Sequence, residues 1–352
     1  MRRAFDRRVD LHPPEWHNAG MCQEGMDRLR QVAAGFQQAK ILLAAAELKL
    51  FDHLRHGRSA ANAAHALGAD ERAMEVLLDA LVAIGMLDKQ GRTYRTRPDL
   101  EPFLVEDGPT HFVASLRHMN RLFRHWAFLE ERVLGQPAPQ GGDAALAAAD
   151  HENFIRAMYA VTHRQAEAVV ARVDLAGART VADLGGGPGH YLAAILRRQP
   201  EADGYLVDLA PTLVIAQRIQ AGNPDWSRVH NVAWDFYGDD PPGVLPRLDL
   251  AFVSQVVHSE SPEANRAFFR RLFPLVSPGG RLVIHERVVE PDRTAPQEAA
   301  IFAVNMLAMT PGGRTYTEQE IAEWGTGAGF VFEKGERLSE RSYLITMRRP
   351  AG

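Results

Sequence analysis

One glycine-rich segment carries the sharpest chemical signal in the sequence. It reads VADLGGGPG over residues 181–189, between a predicted strand and a predicted helix. Gly185 and Gly187 allow the backbone to turn tightly and to approach a ligand closely. His190 stands where the dinucleotide pattern G-x-G-x-x-G needs its third glycine, and the segment has no P-loop lysine. Asp183, two residues before the first glycine, suits a cationic ligand group better than a pyrophosphate.

Further acids stand at the ends of the next two predicted strands. Asp208 ends the second strand, where a carboxylate can bind both hydroxyls of a ribose, and Leu209 follows it in the same predicted site. Asp235 and Phe236 end the third strand, where the acid can accept from an adenine amino group and the ring can cover the base. Each acid alone is more often a loop residue. Three successive strand ends with the expected groups together predict a nucleoside site.

A histidine follows the fourth predicted strand, AFVSQVV. His258 therefore falls at the carboxyl edge of the sheet, where ligands of open α/β sheets bind. It could remove a proton there, or merely pack or cap the next helix. No metal site is predicted, because the spacings of the other histidines match no compact ligand motif. The histidines considered are His118, His125, His163 and His285.

The elements that position these residues alternate strand and helix after residue 178. This alternation predicts an α/β fold, a parallel sheet with helices on both faces. The tail FVFEKGERLSERSYLITMRR reads as two strands, of which one lies antiparallel in the sheet. The predicted strands and helices, in order, are TVADLG, YLAAILRRQ, GYLVDL, PTLVIAQRIQA, VHNVAW, LDLAFVSQVV, SPEANRAFFRRLF and RLVIHERVV.

The front of the chain is mostly helical. Helical periodicity covers about residues 26–54, and SAANAAHALG and ERAMEVLLDALVAIG follow as short helices opened by Ser59 and Asp70. The segment MLDKQGRTYRT then predicts two short strands, which completes a winged-helix arrangement. DNA binding is disfavoured because four acids oppose one cation, Arg72, on the helix that would read DNA. A better interpretation is a module that packs on a second copy through Leu77, Leu78, Leu81, Val82 and Met86, unless these are simple core.

A predicted helix over residues 111–134 is followed by QPAPQGGDAA, the best linker candidate. We therefore expect two domains, residues 1–140 and 141–352. The formal net charge of −4 gives no electrostatic reason to bind nucleic acid. The single cysteine, Cys22, favours a reducing cytoplasm, and the sequence shows neither a signal peptide nor a run long enough to span a membrane. The first 20 or so residues read as a polar arm.

From about Gly35 to Met347 the sequence resembles the small-molecule O-methyltransferases of plants and bacteria that carry an N-terminal winged-helix dimerisation domain. The matching stretches include AAAELKLFDHL, VADLGGGPG, YLVDLAPTLV, WDFY, FVSQVVHS, SPGGRLVIHERVV and PGGRTYTEQEIAEWGTGAGF. The resemblance implies a seven-stranded Rossmann-like domain, a homodimer and the cofactor S-adenosyl-L-methionine. It also implies contacts to this cofactor from Gly185, Asp208, Asp235, Phe236 and Ser254.

The same resemblance makes His258 the residue that removes the acceptor's proton. Methyl transfer from a sulfonium is an in-line displacement, and an oxyanion attacks better than a hydroxyl. Two places depart from the family pattern: Ser259 replaces an aspartate, and Thr315 replaces the glutamate expected to orient the histidine. Transfer by proximity alone therefore stays open. So do methylation of carbon or nitrogen, and a cyclase or binding protein that uses the cofactor without transferring methyl.

The acceptor is expected to be a small, largely apolar molecule, such as an aromatic or polyketide-like natural product. Its pocket should lie between the helices before the glycine loop and those after the fifth strand. Methionine and phenylalanine suit a flat apolar ligand, although each could be plain helix core. The candidate lining residues are Phe154, Met158, Phe302, Met306 and Met309.

Overall fold

The computed structural model describes residues 19–110, 112–136 and 144–352. The predicted N-terminal arm, most of the predicted linker and the predicted domain boundary after residue 140 lie outside these ranges. Within them, no helix is long and apolar enough to cross a membrane.

The front of the chain forms seven helices and a small sheet among the described residues. Its wing has a third strand, β1, that the sequence did not predict, and the strands are ordered β1-β3-β2. The predicted helix over residues 111–134 is divided at Ala127–Phe128. The elements are α1 (Ala19–Glu47), α2 (Leu50–His53), β1 (Arg58–Ser59), α3 (Ala60–Leu67), α4 (Glu71–Ala83), β2 (Leu87–Gln90), β3 (Thr93–Thr96), α5 (Glu101–Leu104), α6 (Phe112–Trp126) and α7 (Leu129–Val133).

Side-chain caps set the helix starts that the sequence predicted. The Ser59 hydroxyl accepts from the Asn62 backbone N–H at 3.2 Å, and an Asp70 carboxylate oxygen accepts from that of Ala73 at 2.7 Å. Each bond satisfies an amide that would otherwise lack a partner in the first helical turn. Gly68 ends α3 with a φ of 61°, a left-handed conformation that glycine adopts without steric cost.

The apolar face of α4 belongs to the core of its own chain. Leu78 and Leu81 are fully buried, and Leu77, Val82 and Met86 pack against the same cluster. The prediction that this face meets a second copy is therefore wrong for Leu78 and Leu81, which are simple core covered by other elements of the same chain, whereas Leu77, Val82 and Met86 stay half-buried. The exposed apolar stripe of this region lies instead on α1, where Met26, Leu29, Val32 and Phe36 recur at helical spacing.

The rest of the chain is a seven-stranded sheet with the order β6-β5-β4-β7-β8-β10-β9. Strands β4 to β8 pair in parallel, and β10 is antiparallel to both β8 and β9, as the sequence predicted. The elements are α8 (Ala144–Val170), β4 (Thr180–Leu184), α9 (His190–Arg198), β5 (Asp203–Asp208), α10 (Ala210–Ile219), β6 (Val229–Ala233), β7 (Leu248–Ser254), α11 (Pro262–Leu272), β8 (Val276–Glu286), α12 (Gln297–Met309), α13 (Glu318–Ala328), β9 (Val331–Ser339) and β10 (Ser342–Arg348).

Two hydrophobic clusters cover this sheet and hold its strand ends in place. One contains Phe268, Phe269 and Trp324, and the other contains Tyr191, Leu192 and Phe252. Because β4, β5, β6 and β7 are parallel neighbours, their carboxyl ends meet at one edge. The predicted glycine loop, strand-end acids and histidine all belong to that edge.

Candidate active site

The glycine loop turns directly from β4 into α9. Gly185, Gly187 and Gly189 have φ values of 68°, 53° and 74°, which L side chains rarely adopt. A Cβ on Gly185 would lie 2.5 Å from a methyl of Val256, whereas a Cβ on Gly187 would meet no atom within 4 Å. The loop is therefore packed against the protein at Gly185 and open at Gly187. This leaves backbone within reach of a ligand.

Asp208 ties the end of β5 to this loop. One carboxylate oxygen accepts from the Gly187 backbone N–H at 2.9 Å, and the other accepts from that of Leu209 at 2.7 Å. Burial raises the pKa of the Asp208 carboxyl, while these two hydrogen bonds oppose the rise. Asp208 is half-buried and Leu209 is exposed, so both reach the protein surface beside the glycine loop. Each carboxylate oxygen retains capacity to accept a further hydrogen bond, as a ribose diol would require.

Asp183 is a fully buried carboxyl under the same loop. Neither of its oxygens has a hydrogen-bond partner among the described residues. Burial, with a further contribution from the charge of Asp208, raises its pKa to about 7. An orphaned buried carboxyl beside an open glycine loop fits the cationic end of S-adenosylmethionine.

Asp235 and Phe236 occupy the next strand end in different ways. Asp235 is exposed, and its carboxylate accepts from the backbone N–H groups of Tyr237 and Gly238, both at 3.2 Å. Phe236 is largely buried, with its ring centroid 4.8 Å from that of Phe268. The Phe236 ring edge still reaches the glycine loop, since a Cβ on Gly185 would lie 3.4 Å from it.

Ser254, at the end of β7, lies in a buried hydrogen-bonded row. Its hydroxyl is 2.9 Å from Nδ1 of His285, whose Nε2 is 2.7 Å from the hydroxyl of Ser342. Burial lowers the pKa of His285 to about 4, so this imidazole is neutral at pH 7. His285 thus holds Ser254. No three metal-ligating side chains gather anywhere in the described part of the chain.

The imidazole of His258 is held by Glu286, which the sequence interpretation missed. Nδ1 of His258 lies 2.8 Å from Oε1 of Glu286, and both side chains are buried. Burial alone would raise the pKa of the Glu286 carboxyl, but His258 and the Arg287 backbone N–H reverse this and lower it. An ionised Glu286 favours a proton on Nδ1, which leaves Nε2 with a lone pair.

Thr315 occupies the position expected to orient His258, but its hydrogen bond is with another residue. Thr315 is buried, and its backbone carbonyl accepts from Arg293 at 3.4 Å. The Ser259 hydroxyl donates to the Val256 carbonyl at 2.7 Å and so caps the local turn. The sequence position of Glu286 could have indicated its role, because a charged residue is unusual at the end of an apolar strand on the ligand-binding edge of the sheet.

A second set of hydrogen bonds fixes the short 3-10 helix Val257–Ser259 that carries the histidine. The fully buried Asn265 of α11 donates to the Val257 carbonyl at 2.8 Å and accepts from the Tyr237 hydroxyl at 2.8 Å. Because Tyr237 also donates its backbone N–H to Asp235, a continuous chain of contacts joins the third strand end to the base.

The predicted acceptor residues fall on two helices that both pack on α6, namely α8 and α12. Phe302 of α12 meets the His258 ring edge-on, with 4.8 Å between centroids. Phe154 of α8 lies 5.1 Å from the ring of His118 on α6, and Trp126 of α6 donates to Asn305 of α12 at 3.0 Å. Phe302 is thus placed directly against His258. Met158 and Met309 are half-buried on these helices, and Met306 is buried.

Comparisons with known proteins agree with this arrangement. Residues 142–331 match the family model of the O-methyltransferase domain, and residues 30–99 match that of the O-methyltransferase dimerisation domain. A 3-hydroxy-5-methyl-1-naphthoate 3-O-methyltransferase from Streptomyces sahachiroi is 30% identical over 86% of this chain and 88% of its own. The tetracenomycin polyketide synthesis 8-O-methyl transferase of Streptomyces glaucescens is 28% identical over 93% and 97%.

Solved structures show the same fold. PigF with S-adenosylhomocysteine (SAH) superposes with a TM-score of 0.81 at 26% identity, over 92% of this chain and 99% of that one. An O-methyltransferase family protein from Burkholderia thailandensis gives a TM-score of 0.79 at 27% identity, over 93% of this chain and 98% of its own.

Proposed function

This chain belongs to the family of S-adenosylmethionine-dependent O-methyltransferases, and on that premise we propose that His258 and Glu286 together deprotonate a hydroxyl of a small aromatic or polyketide-like acceptor. The observation that carries the proposal is the 2.8 Å contact between Nδ1 of His258 and Oε1 of Glu286. This contact directs the proton-accepting Nε2 away from the carboxylate. The named relatives, which act on a naphthoate and a tetracenomycin polyketide, support the class of acceptor.

The cofactor would be held by the three successive strand ends. Asp183, Gly185 and Gly187 would receive its amino-acid end, Asp208 and Leu209 its ribose, and Asp235 with Phe236 its adenine. Ser254, fixed by His285, would line the cleft beside them. When bound, S-adenosylmethionine supplies an electrophilic methyl group on a sulfonium, for in-line attack by the acceptor's oxygen.

The protein's own contribution is then positioning and proton removal. A phenol has a pKa of about 10, so it is almost wholly protonated at neutral pH, and an adjacent imidazole increases the fraction that can attack. The ionised Glu286 would stabilise the imidazolium that forms. Phe302, Met306, Met309, Phe154 and Met158 would enclose the acceptor in apolar surface and orient its hydroxyl.

The chain would act as a homodimer, with residues 1–140 as the dimerisation domain and residues 141–352 as the catalytic domain. The match to a dimerisation domain supports this, as does the exposed apolar stripe on α1. Pairing of such stripes would remove them from water, as in obligate dimers.

A turnover assay with methyl-labelled cofactor tests the proposal. A hydroxynaphthoic acid should accept label and release SAH in equal amounts, and the label should be removed by ether cleavage. The same acceptor with its hydroxyl already methylated is the matched control and should take no label. Label that resists ether cleavage, or label in the control, would identify a different reaction.

A further inference from the structure

Arg287 places a guanidinium close to the candidate base. It follows Glu286 directly at the end of β8. Its Nε donates to the side-chain oxygen of Gln255 at 3.2 Å, and its guanidinium carbon lies 4.2 Å from the centroid of the Phe302 ring. Phe302 is the ring that meets His258 edge-on. The distance from the Arg287 guanidinium carbon to the centroid of the His258 ring is therefore no greater than the sum of two distances, one from each group to the Phe302 centroid.

This guanidinium forms no direct ion pair within the described part of the chain, although Glu286 and Glu298 attract it from a distance. Glu286, the adjacent acid, is committed to His258. Glu298 is paired with Arg341 at 2.6 Å. Its backbone N–H donates to Glu286 at 2.7 Å, but no carboxylate oxygen of the described residues lies within 4.0 Å of its guanidinium nitrogens, and the side chain is only partly exposed. A largely desolvated cation without a partner is costly, so such a group often marks a place where a ligand supplies the charge.

The surroundings hold the guanidinium in one orientation. Gln255 fixes its Nε, and Gln255 itself has a φ of 56°, an uncommon backbone conformation for a residue with a side chain. The face of Phe302 supports the plane of the guanidinium by a cation–π contact. With Nε occupied, the terminal nitrogens remain to donate, and a planar pair of N–H donors matches a carboxylate.

We propose that Arg287 is a specificity-determining residue that binds an anionic group of the acceptor, a carboxylate or an ionised enol, while His258 meets the hydroxyl. This inference rests on the proposed function, since it names the class of acceptor for that same site. The acceptor is then a hydroxyaryl acid in which Phe302 contacts the apolar body between the two polar groups.

The test compares a hydroxynaphthoic acid with its primary carboxamide, which has the same shape and no charge. Binding of each is measured by calorimetry on the full-length protein saturated with SAH, and kcat/KM is measured with S-adenosylmethionine. The wild type should prefer the acid by at least roughly tenfold, since a charge-assisted bidentate pair is stronger than neutral hydrogen bonds. Arg287→Gln should abolish that preference with little effect on the amide, and Arg287→Lys should retain part of it.

Arg341→Gln is the matched control, because Arg341 is a nearby but exposed cation that is already paired with Glu298. It should leave the preference for the acid unchanged. A wild type that binds both compounds equally, or neither, would overturn the proposal, as would an unchanged preference in Arg287→Gln. If the acid binds through Arg287 but is never methylated, the proposed function fails and the anion site stands.

Discussion

Glu286 accepts a hydrogen bond from the imidazole of His258 across 2.8 Å, and this pairing joins the ends of two neighbouring strands. Glu286 ends β8, and His258 lies on the short 3-10 helix just beyond β7. The two strands pair in parallel, with Ser254 opposite His285. The residues that follow this pair on each strand, His258 and Glu286, are therefore brought together. Central strands of the sheet thus set the geometry of the proposed proton transfer, which makes it rigid.

Removing the charge of Glu286 should impair turnover without affecting cofactor binding. Glu286→Gln keeps the shape of the side chain but no longer favours the Nδ1 proton or stabilises an imidazolium. We expect kcat to fall by roughly 10- to 100-fold, with an unchanged dissociation constant for SAH. Steady-state kinetics and calorimetry measure the two quantities. Glu290→Gln is the control, since Glu290 is exposed and pairs with Arg337; an equal loss there would deny Glu286 a special role.

Asp208 should carry much of the affinity for the cofactor. Asp208→Ala removes the acceptor of the Gly187 N–H as well as the expected partner of the ribose hydroxyls. We expect S-adenosylmethionine to bind at least roughly tenfold more weakly, since a hydrogen bond to a charged group contributes about 1.5–3 kcal/mol. Asp203→Ala, on the same strand but at its other end, should bind normally. Calorimetry that finds equal affinities for both variants would remove Asp208 from the site.

The raised pKa of Asp183 predicts a pH-dependent stability of the cofactor-free protein. In the folded chain this pKa is about 7, against about 4 when unfolded, so the folded state favours the protonated form. Its contribution to stability is complete below about pH 4 and is lost as pH rises through 7. Asp183→Asn should therefore melt roughly 2–4 °C above wild type at pH 8, with the gap shrinking toward pH 5. A constant gap in calorimetric scans would show that Asp183 does not titrate this way.

The α1 stripe should be required for dimer formation. Val32 is 76% exposed in the single chain, and a charge there would be buried in a dimer that pairs this face. Val32→Glu should shift the protein from dimer to monomer at micromolar concentration in light scattering. Val244→Glu, at an equally exposed valine (72%) outside α1, should remain dimeric. A dimeric Val32→Glu protein would place the interface on another face.

Local patterns were enough to predict the sheet, the glycine loop and the strand-end acids. Alternation of strands and helices gives the parallel order, and parallel order alone brings Asp208 beside the loop at Gly187. The pairing of His258 with Glu286 could not be found this way, since it depends on which strands are neighbours. The family pattern places the orienting glutamate at position 315, where Thr315 stands, whereas the acid that meets the histidine is Glu286 at the end of β8.

Helical periodicity likewise found apolar faces without showing what covers them. It marked Leu78 and Leu81 of α4 as a possible contact between copies, but helices and strands of the same chain bury both. The stripe through Leu29 and Val32 follows the same periodicity and remains exposed. Only tertiary packing distinguishes the two faces.

His258 should remove the acceptor's proton, and the pH–rate profile of His258→Ala tests this role most directly. With a hydroxynaphthoic acid as acceptor, the variant should lose roughly 10²–10⁴ in kcat at pH 7 and keep its affinity for SAH. Its remaining rate should rise with pH as the acceptor's own hydroxyl ionises. A loss of about tenfold or less, with a profile identical to that of wild type, would contradict the account and leave His258 as a packing or contact residue.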